Sequence, residues 1–130
     1  MPEPLILVIE DEYLLQSEVE KALTDGGFAN EIVSSGEEAL ALFTDGRNSY
    51  RALVTDVNLG DGLSGWEVAR RFRETAPTLP IIYLTAATAE EYASHGVPNS
   101  ILISKPFAPA QLVTAVSQLL NAASSSIGPT

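Results

Sequence analysis

Arg51-Ala-Leu-Val-Thr-Asp56-Val-Asn-Leu-Gly-Asp-Gly62 decides how the rest of the chain is read. Ala52 to Val54 is a short apolar run that leads into an acid and then breaks into glycine-rich sequence. Such a run predicts a buried strand, and the glycines after Asn58 predict the loop leaving its carboxyl end. In an open α/β sheet, that end of a strand is where ligands and chemistry sit. A single acid there carries little weight. It gains weight if other strands deliver matching groups to the same edge.

Working outward, the neighbouring segments repeat the pattern. Leu5 to Ile9 is an apolar run without alternation, the signature of a strand central to a parallel sheet. Glu10-Asp11-Glu12 follows, then Leu15, Val19, Ala22 and Leu23 fall at helical spacing until Asp25-Gly26-Gly27. Phe28 to Val33 reads as a second, more polar strand. Ser35-Gly-Glu-Glu38, Ser64-Gly-Trp-Glu67 and Thr88-Ala-Glu-Glu91 each have capping-box spacing and predict helix starts. Between them lie the strand at Ala52 and another at Ile81 to Thr85. Gly96 and Pro98 confine the helix after Thr88 to a short one. Ser100 to Ser104 is the last strand, followed by Lys105-Pro106-Phe107 and a helix starting near Pro109, a favourable first-turn residue. Ala108 is a poor cap for it. Residues 1–123 form one domain in this reading, and Ser124 to Thr130 a disordered polar tail.

Five strands alternating with five helices over short links require right-handed crossovers, hence a parallel sheet with helices on both faces. The bulk properties agree and exclude other classes. The chain has 130 residues, 45% of them hydrophobic, enough for a single core. Its net charge of −10 argues against gripping nucleic acid or an anionic membrane surface. With no cysteine, thiol chemistry, disulfides and thiolate metal sites are excluded. No apolar run is long enough to span a bilayer, and the N-terminus lacks the pattern of a signal peptide. A soluble cytoplasmic domain is expected.

In a parallel sheet all strand carboxyl ends share one edge. Glu10 and Asp11 follow the first strand, Asp56 ends the third, Thr85 ends the fourth and Lys105 follows the fifth. Each alone has a structural explanation: a helix-dipole partner, a strand terminus, a structural hydroxyl, a surface charge. Four strands placing them on one edge is what those explanations miss. Clustered carboxylates repel, so they need a proton or a cation. Mg²⁺ suits an all-oxygen donor set of this kind, and Lys105 suits a phosphate oxygen. Metal, lysine and hydroxyl together fit phosphoryl transfer, in which Asp56 can serve as the nucleophile.

Ile9-Glu-Asp-Glu12, Val54-Thr-Asp56-Val-Asn58-Leu59, Leu84-Thr85-Ala86 and Lys105-Pro106-Phe107, in this order, resemble the response-regulator receiver domain of two-component signalling. The resemblance implies a flavodoxin-like fold with strand order 2-1-3-4-5. It implies that Asp56 is the phosphoacceptor and that Asp11, Glu10, Asp56 and the Asn58 carbonyl hold Mg²⁺. Thr85 and Lys105 would hold phosphoryl oxygens, and Lys105-Pro106 would be cis. The implied donor is a histidine kinase or a histidine phosphotransfer protein. The implied role is that of a stand-alone, non-enzymatic receiver read out by protein contact.

Three features depart from the family pattern. The Leu59-to-Gly65 loop is one residue longer and carries Gly60 where proline is common, which predicts a more flexible path. Leu102 stands where the family carries a switch aromatic, so the readout is expected to differ. The short fourth helix alters the family's usual output and dimerisation face. Trp66 and Phe72 are expected to pack on the sheet, and His95 to end the fourth helix. Tyr92 has two readings, packed or exposed on the altered face. Two other functions remain open: a binding-only pseudo-receiver, and a Mg²⁺-dependent phosphohydrolase. The second is disfavoured because haloacid-dehalogenase-type enzymes carry Asp-x-Asp after strand one, where this chain has Glu10-Asp11-Glu12.

Overall fold

Strand alternation sorts the apolar residues onto two faces, and the helices follow. In the computed structural model, which describes residues 3–46 and 49–127, β1 (Leu5–Ile9), β2 (Ala29–Val33), β3 (Ala52–Thr55), β4 (Ile81–Thr85) and β5 (Ser100–Ser104) form one parallel sheet. The order is β2-β1-β3-β4-β5, as the resemblance implied. Successive side chains of a strand point to opposite faces. Leu7, Ile9, Leu53, Ile81 and Tyr83 therefore pack on one side under α2 (Gly36–Asp45) and α3 (Gly65–Thr75). Ile6, Val8, Val54, Ile82 and Leu84 pack on the other under α1 (Tyr13–Asp25) and α5 (Pro109–Ile127). Among the described residues no helix is long and apolar enough to cross a membrane.

The capping residues work as the sequence predicts. Ser35, Ser64 and Thr88 accept the amides of Glu38, Glu67 and Glu91 at 3.2, 3.2 and 3.1 Å, satisfying N–H groups that a helix start leaves unpaired. Ala108 lacks a capping side chain, but Gln111 Oε1 reaches back to its N–H at 2.8 Å. The polar tail expected from Ser124 onward is helical as far as Ile127. Once α5 is nucleated, each added residue gains a backbone bond at little cost, so a serine run continues it. Residues 128–130 lie outside the described residues.

The fourth helix, α4 (Ala89–His95), is short, with His95 as its last residue. The link from it to β5 is held from below. Tyr83, buried on β4, accepts the Val97 N–H at 3.1 Å. Tyr92 is half-buried rather than exposed: its phenol donates to the Ser100 carbonyl at 2.7 Å, and its ring meets that of Tyr83 edge-on at 5.9 Å. Arg73 of α3 donates to the carbonyls of Leu79, Pro98 and Asn99 at 2.7, 2.6 and 3.1 Å. Trp66 and Phe72 are buried on the sheet, and Leu102, paired with Tyr83 across the ladder, packs on the same cluster.

Replacing Tyr83 by Phe leaves the buried Val97 N–H without that acceptor. Urea unfolding should show a loss of about 1–3 kcal/mol. Burial raises the Tyr83 phenol above its ordinary 10.0, outweighing the opposing Val97 N–H. A raised folded pKa means stability present below pH 10.0 and lost as pH rises through the higher folded value. Tyr83→Phe should therefore remove part of the protein's alkaline destabilisation, and equal alkaline unfolding of both proteins would contradict this.

Candidate functional site

The parallel ladder carries the polar residues to one edge. Beyond the last paired residues, Glu10 N–H bonds the Val33 carbonyl at 3.0 Å and Asp56 N–H the Ile9 carbonyl at 3.0 Å. Lys105 N–H bonds the Thr85 carbonyl at 3.0 Å. Glu10, Asp56 and Lys105 are thus fixed through their backbones as extensions of β1, β3 and β5 rather than as free loop residues.

Their side chains meet. Lys105 Nζ donates to Glu10 Oε1 and to Asp56 Oδ2, both at 2.8 Å. Glu10 is 2% exposed, and its second oxygen accepts the Glu12 N–H at 3.2 Å. The other Asp56 oxygen, Oδ1, accepts the Val57 N–H at 2.6 Å and the Asn58 N–H at 3.3 Å. Asp11 is exposed, yet carboxylate oxygens of Glu10, Asp11 and Asp56 lie within 4.8 Å of one another. The Lys105-Pro106 peptide is cis.

Electrostatics at this cluster are those of too many acids for one base. Burial raises the Glu10 carboxyl above its ordinary value, only partly offset by its hydrogen bonds from Lys105 and the Glu12 N–H, and the Asp56 charge pushes it further up. For Lys105, burial depresses the ammonium, but the hydrogen bonds to Asp56 and Glu10 outweigh it and the net shift is upward. Three carboxylates facing one ammonium leave an excess of negative charge. Their all-oxygen donor set is compatible with a hard divalent cation such as Mg²⁺.

The remaining expected residues lie around this cluster. Thr85 is fully buried, and its hydroxyl accepts the Ala87 N–H at 3.3 Å. Among the described residues no hydrogen bond links that hydroxyl to the side chain of Asp56 or Lys105. Asn58 is exposed, two residues after Asp56 in the β3–α3 loop.

Three supporting residues escaped the sequence reading. Thr55 Oγ1 donates to the Asp56 carbonyl at 2.7 Å. Gln16 Nε2 donates to the Glu10 carbonyl at 2.6 Å and to Ser34 Oγ at 3.2 Å, tying α1 to the strand end. Gly65 packs so closely that a Cβ there would sit 2.0 Å from the Asp56 carbonyl oxygen. A threonine preceding the acid was the one local signal available; the other two contacts exist only once the elements are assembled.

The family profile described as response regulator receiver domain matches residues 6–117. This chain belongs to the response-regulator receiver family. The response regulator MprA of Mycobacterium sp. (strain KMS) is 33% identical over 126 residues, covering 95% of this chain and 54% of that protein. The transcriptional regulatory protein CusR of Escherichia coli K12 is 31% identical over 117 residues, covering 88% of this chain and 50% of CusR. The chain thus spans about half the length of these curated relatives. Among solved structures, a response regulator receiver protein from Sinorhizobium medicae WSM419 superposes with a TM-score of 0.89 at 45% identity, covering 93% of this chain and 97% of that one. A sensor protein from Polaromonas sp. JS666 gives a TM-score of 0.84 at 26% identity, covering 94% and 99%. The receiver fold is therefore shared both with regulators and with a protein described as a sensor.

Proposed function

We propose that this receiver accepts a phosphoryl group on Asp56 from the phosphohistidine of a histidine kinase or a histidine phosphotransfer protein. The observation that carries the reading is the state of the Asp56 carboxylate. One oxygen is oriented by two backbone N–H groups and the other is held by Lys105, beside the carboxylates of Glu10 and Asp11. An Asp56 oxygen attacks the phosphorus; the new O–P bond forms as the P–N bond to histidine breaks. The imidazole leaves with that electron pair and takes up a proton. Lys105 transfers its hydrogen bond from the Asp56 oxygen to a phosphoryl oxygen, and Thr85 turns its hydroxyl to another.

Glu10, Asp11, Asp56 and the Asn58 carbonyl are the groups that would hold Mg²⁺. When bound, the ion supplies charge neutralisation for the phosphoryl oxygens. The chain acts as a phosphoacceptor that assists its own phosphorylation and dephosphorylation, not as an enzyme turning over a separate substrate. It works in the cytoplasm, and its output passes through contact with another protein.

A Mg²⁺ titration followed by beryllofluoride, read through Trp66 fluorescence, tests this. Trp66 lies in the first turn of α3, directly after the loop beside Asp56. Wild type should respond to Mg²⁺ and again to beryllofluoride, and Asp56→Asn should lose the second response. A wild type silent to both ligands would favour a pseudo-receiver. Steady hydrolysis of assorted phosphomonoesters would favour a phosphohydrolase.

A further inference from the structure

The Asn58-to-Ser64 loop leaves Asp56 and returns to α3, and its base is closed by Gly65 N–H bonding the Val57 carbonyl at 2.9 Å. Leu59 is buried in the core beneath it. Between these anchors come Gly60, with φ of +81°, Asp61 and Gly62, residues whose backbone freedom opposes any single path. A carboxylate from another element meets the loop there. Glu37, in the first turn of α2, accepts the Leu63 N–H on Oε2 at 3.0 Å. Gly62 passes so close to that carboxylate that a Cβ would lie 2.6 Å from Oε2 and 2.8 Å from Oε1. The start of α2 packs tightly on α3, where a Cβ on Gly36 would lie 2.4 Å from Val68 Cγ2, and reaches the loop as well, at 3.4 Å from Leu63 Cβ.

We propose that Glu37 is a positioning residue for the Asp56 site: its carboxylate latches the Asn58-to-Ser64 loop and so fixes the Asn58 backbone beside Asp56. The inference rests on the phosphoacceptor reading above. Glu37 is not needed to cap α2, because Ser35 already does so. Its carboxyl is held below the ordinary value first by the Leu63 N–H and then by its own backbone N–H, with a smaller contribution from Arg71. These contacts favour the carboxylate form, and what the latch requires is an acceptor oxygen for the Leu63 N–H. Glu38, in the same helical turn, complements the helix dipole equally and provides the control for that effect.

The test combines hydrogen exchange of the loop with Mg²⁺ affinity, using wild type, Glu37→Ala, Glu37→Gln and Glu38→Ala. Protection at Leu63 should be lost in Glu37→Ala and largely kept in Glu37→Gln, whose amide oxygen still accepts. Mg²⁺ affinity should fall about tenfold in Glu37→Ala, the low end for groups that orient metal ligands. It should recover in Glu37→Gln and match wild type in Glu38→Ala. Unchanged protection in Glu37→Ala would overturn the latch. Lost protection with unchanged Mg²⁺ affinity would leave Glu37 a merely structural contact and overturn its positioning role. A wild type that takes up no Mg²⁺ would instead overturn the phosphoacceptor reading, and this inference with it.

Discussion

Gly65→Ala should cost the fold about 3–5 kcal/mol, a large share of the stability of a domain this size. The added Cβ would lie 2.0 Å from the Asp56 carbonyl oxygen, and 2.9 Å from both the Asp56 carbonyl carbon and Val57 Cα. All three atoms are backbone at the end of a central strand, so no side chain can swing aside. The first turn of α3 must lift away instead. That strains the Gly65-to-Val57 hydrogen bond, the Thr55 contact to the Asp56 carbonyl and the seat of Trp66. Gly62→Ala is the comparison: the three atoms nearest its Cβ all belong to the Glu37 carboxylate, the end of a flexible exposed side chain. Urea midpoints should fall far more for Gly65→Ala than for Gly62→Ala. Similar midpoints for both variants would contradict the packing account.

Lys105→Met should destabilise the metal-free protein by about 3 kcal/mol, because it strips the cation from two buried carboxylates. Glu10 and Asp56 each lose an ion pair of 2.8 Å while keeping Asp11 as a neighbour. Glu10 is already raised by burial, and the variant loses the Lys105 hydrogen bond that opposes the shift. A raised carboxyl favours the folded state at low pH and loses that contribution as pH rises. The defect should therefore shrink as pH falls from neutral toward the Glu10 value. Mg²⁺ should stabilise Lys105→Met more than wild type, since the ammonium no longer competes for the same oxygens. Thermal melts with and without Mg²⁺ measure both effects. A variant as stable as wild type at neutral pH, or one that Mg²⁺ leaves unmoved, would contradict the charge balance described for the site. Under the proposed function, in which Lys105 passes its hydrogen bond to a phosphoryl oxygen, phosphorylation should also fall sharply in the same variant.

The parts of the molecule legible in the sequence are those set by short-range pattern. Apolar runs ending in Glu10, Asp56 and Thr85 defined strands and their shared edge, and Ser35, Ser64 and Thr88 marked helix starts through local capping chemistry. Gly96 and Pro98 gave the short α4. Features built across elements were not legible. The glycines of the β3–α3 loop predicted flexibility, but Glu37 holds that loop from 26 residues away in sequence. Gln16 reaches Ser34 across two elements, and Tyr92 finds its partner on β5 only after the short link has folded back. The end of α5 was misplaced for a different reason. Serines are weak helix formers, and pattern alone does not reveal that an established helix carries on through them.

Leu102 raises the question of how a phosphoryl group on Asp56 would be read. Leu102 packs in the same cluster as three aromatic rings, with Trp66 and Tyr83 at 4.7 Å and Tyr92 at 5.9 Å from Tyr83. Thr85 already contacts the start of the link to α4 through the Ala87 N–H. These contacts define the region in which any conformational response is to be sought.

The most direct measurement is intact-mass spectrometry after incubation with acetyl phosphate, comparing Mg²⁺ with a chelator and wild type with Asp56→Asn. The account predicts the addition of one phosphoryl group to wild type in Mg²⁺, and none in chelator or in Asp56→Asn. No addition to wild type in Mg²⁺, or equal addition to Asp56→Asn, would contradict it.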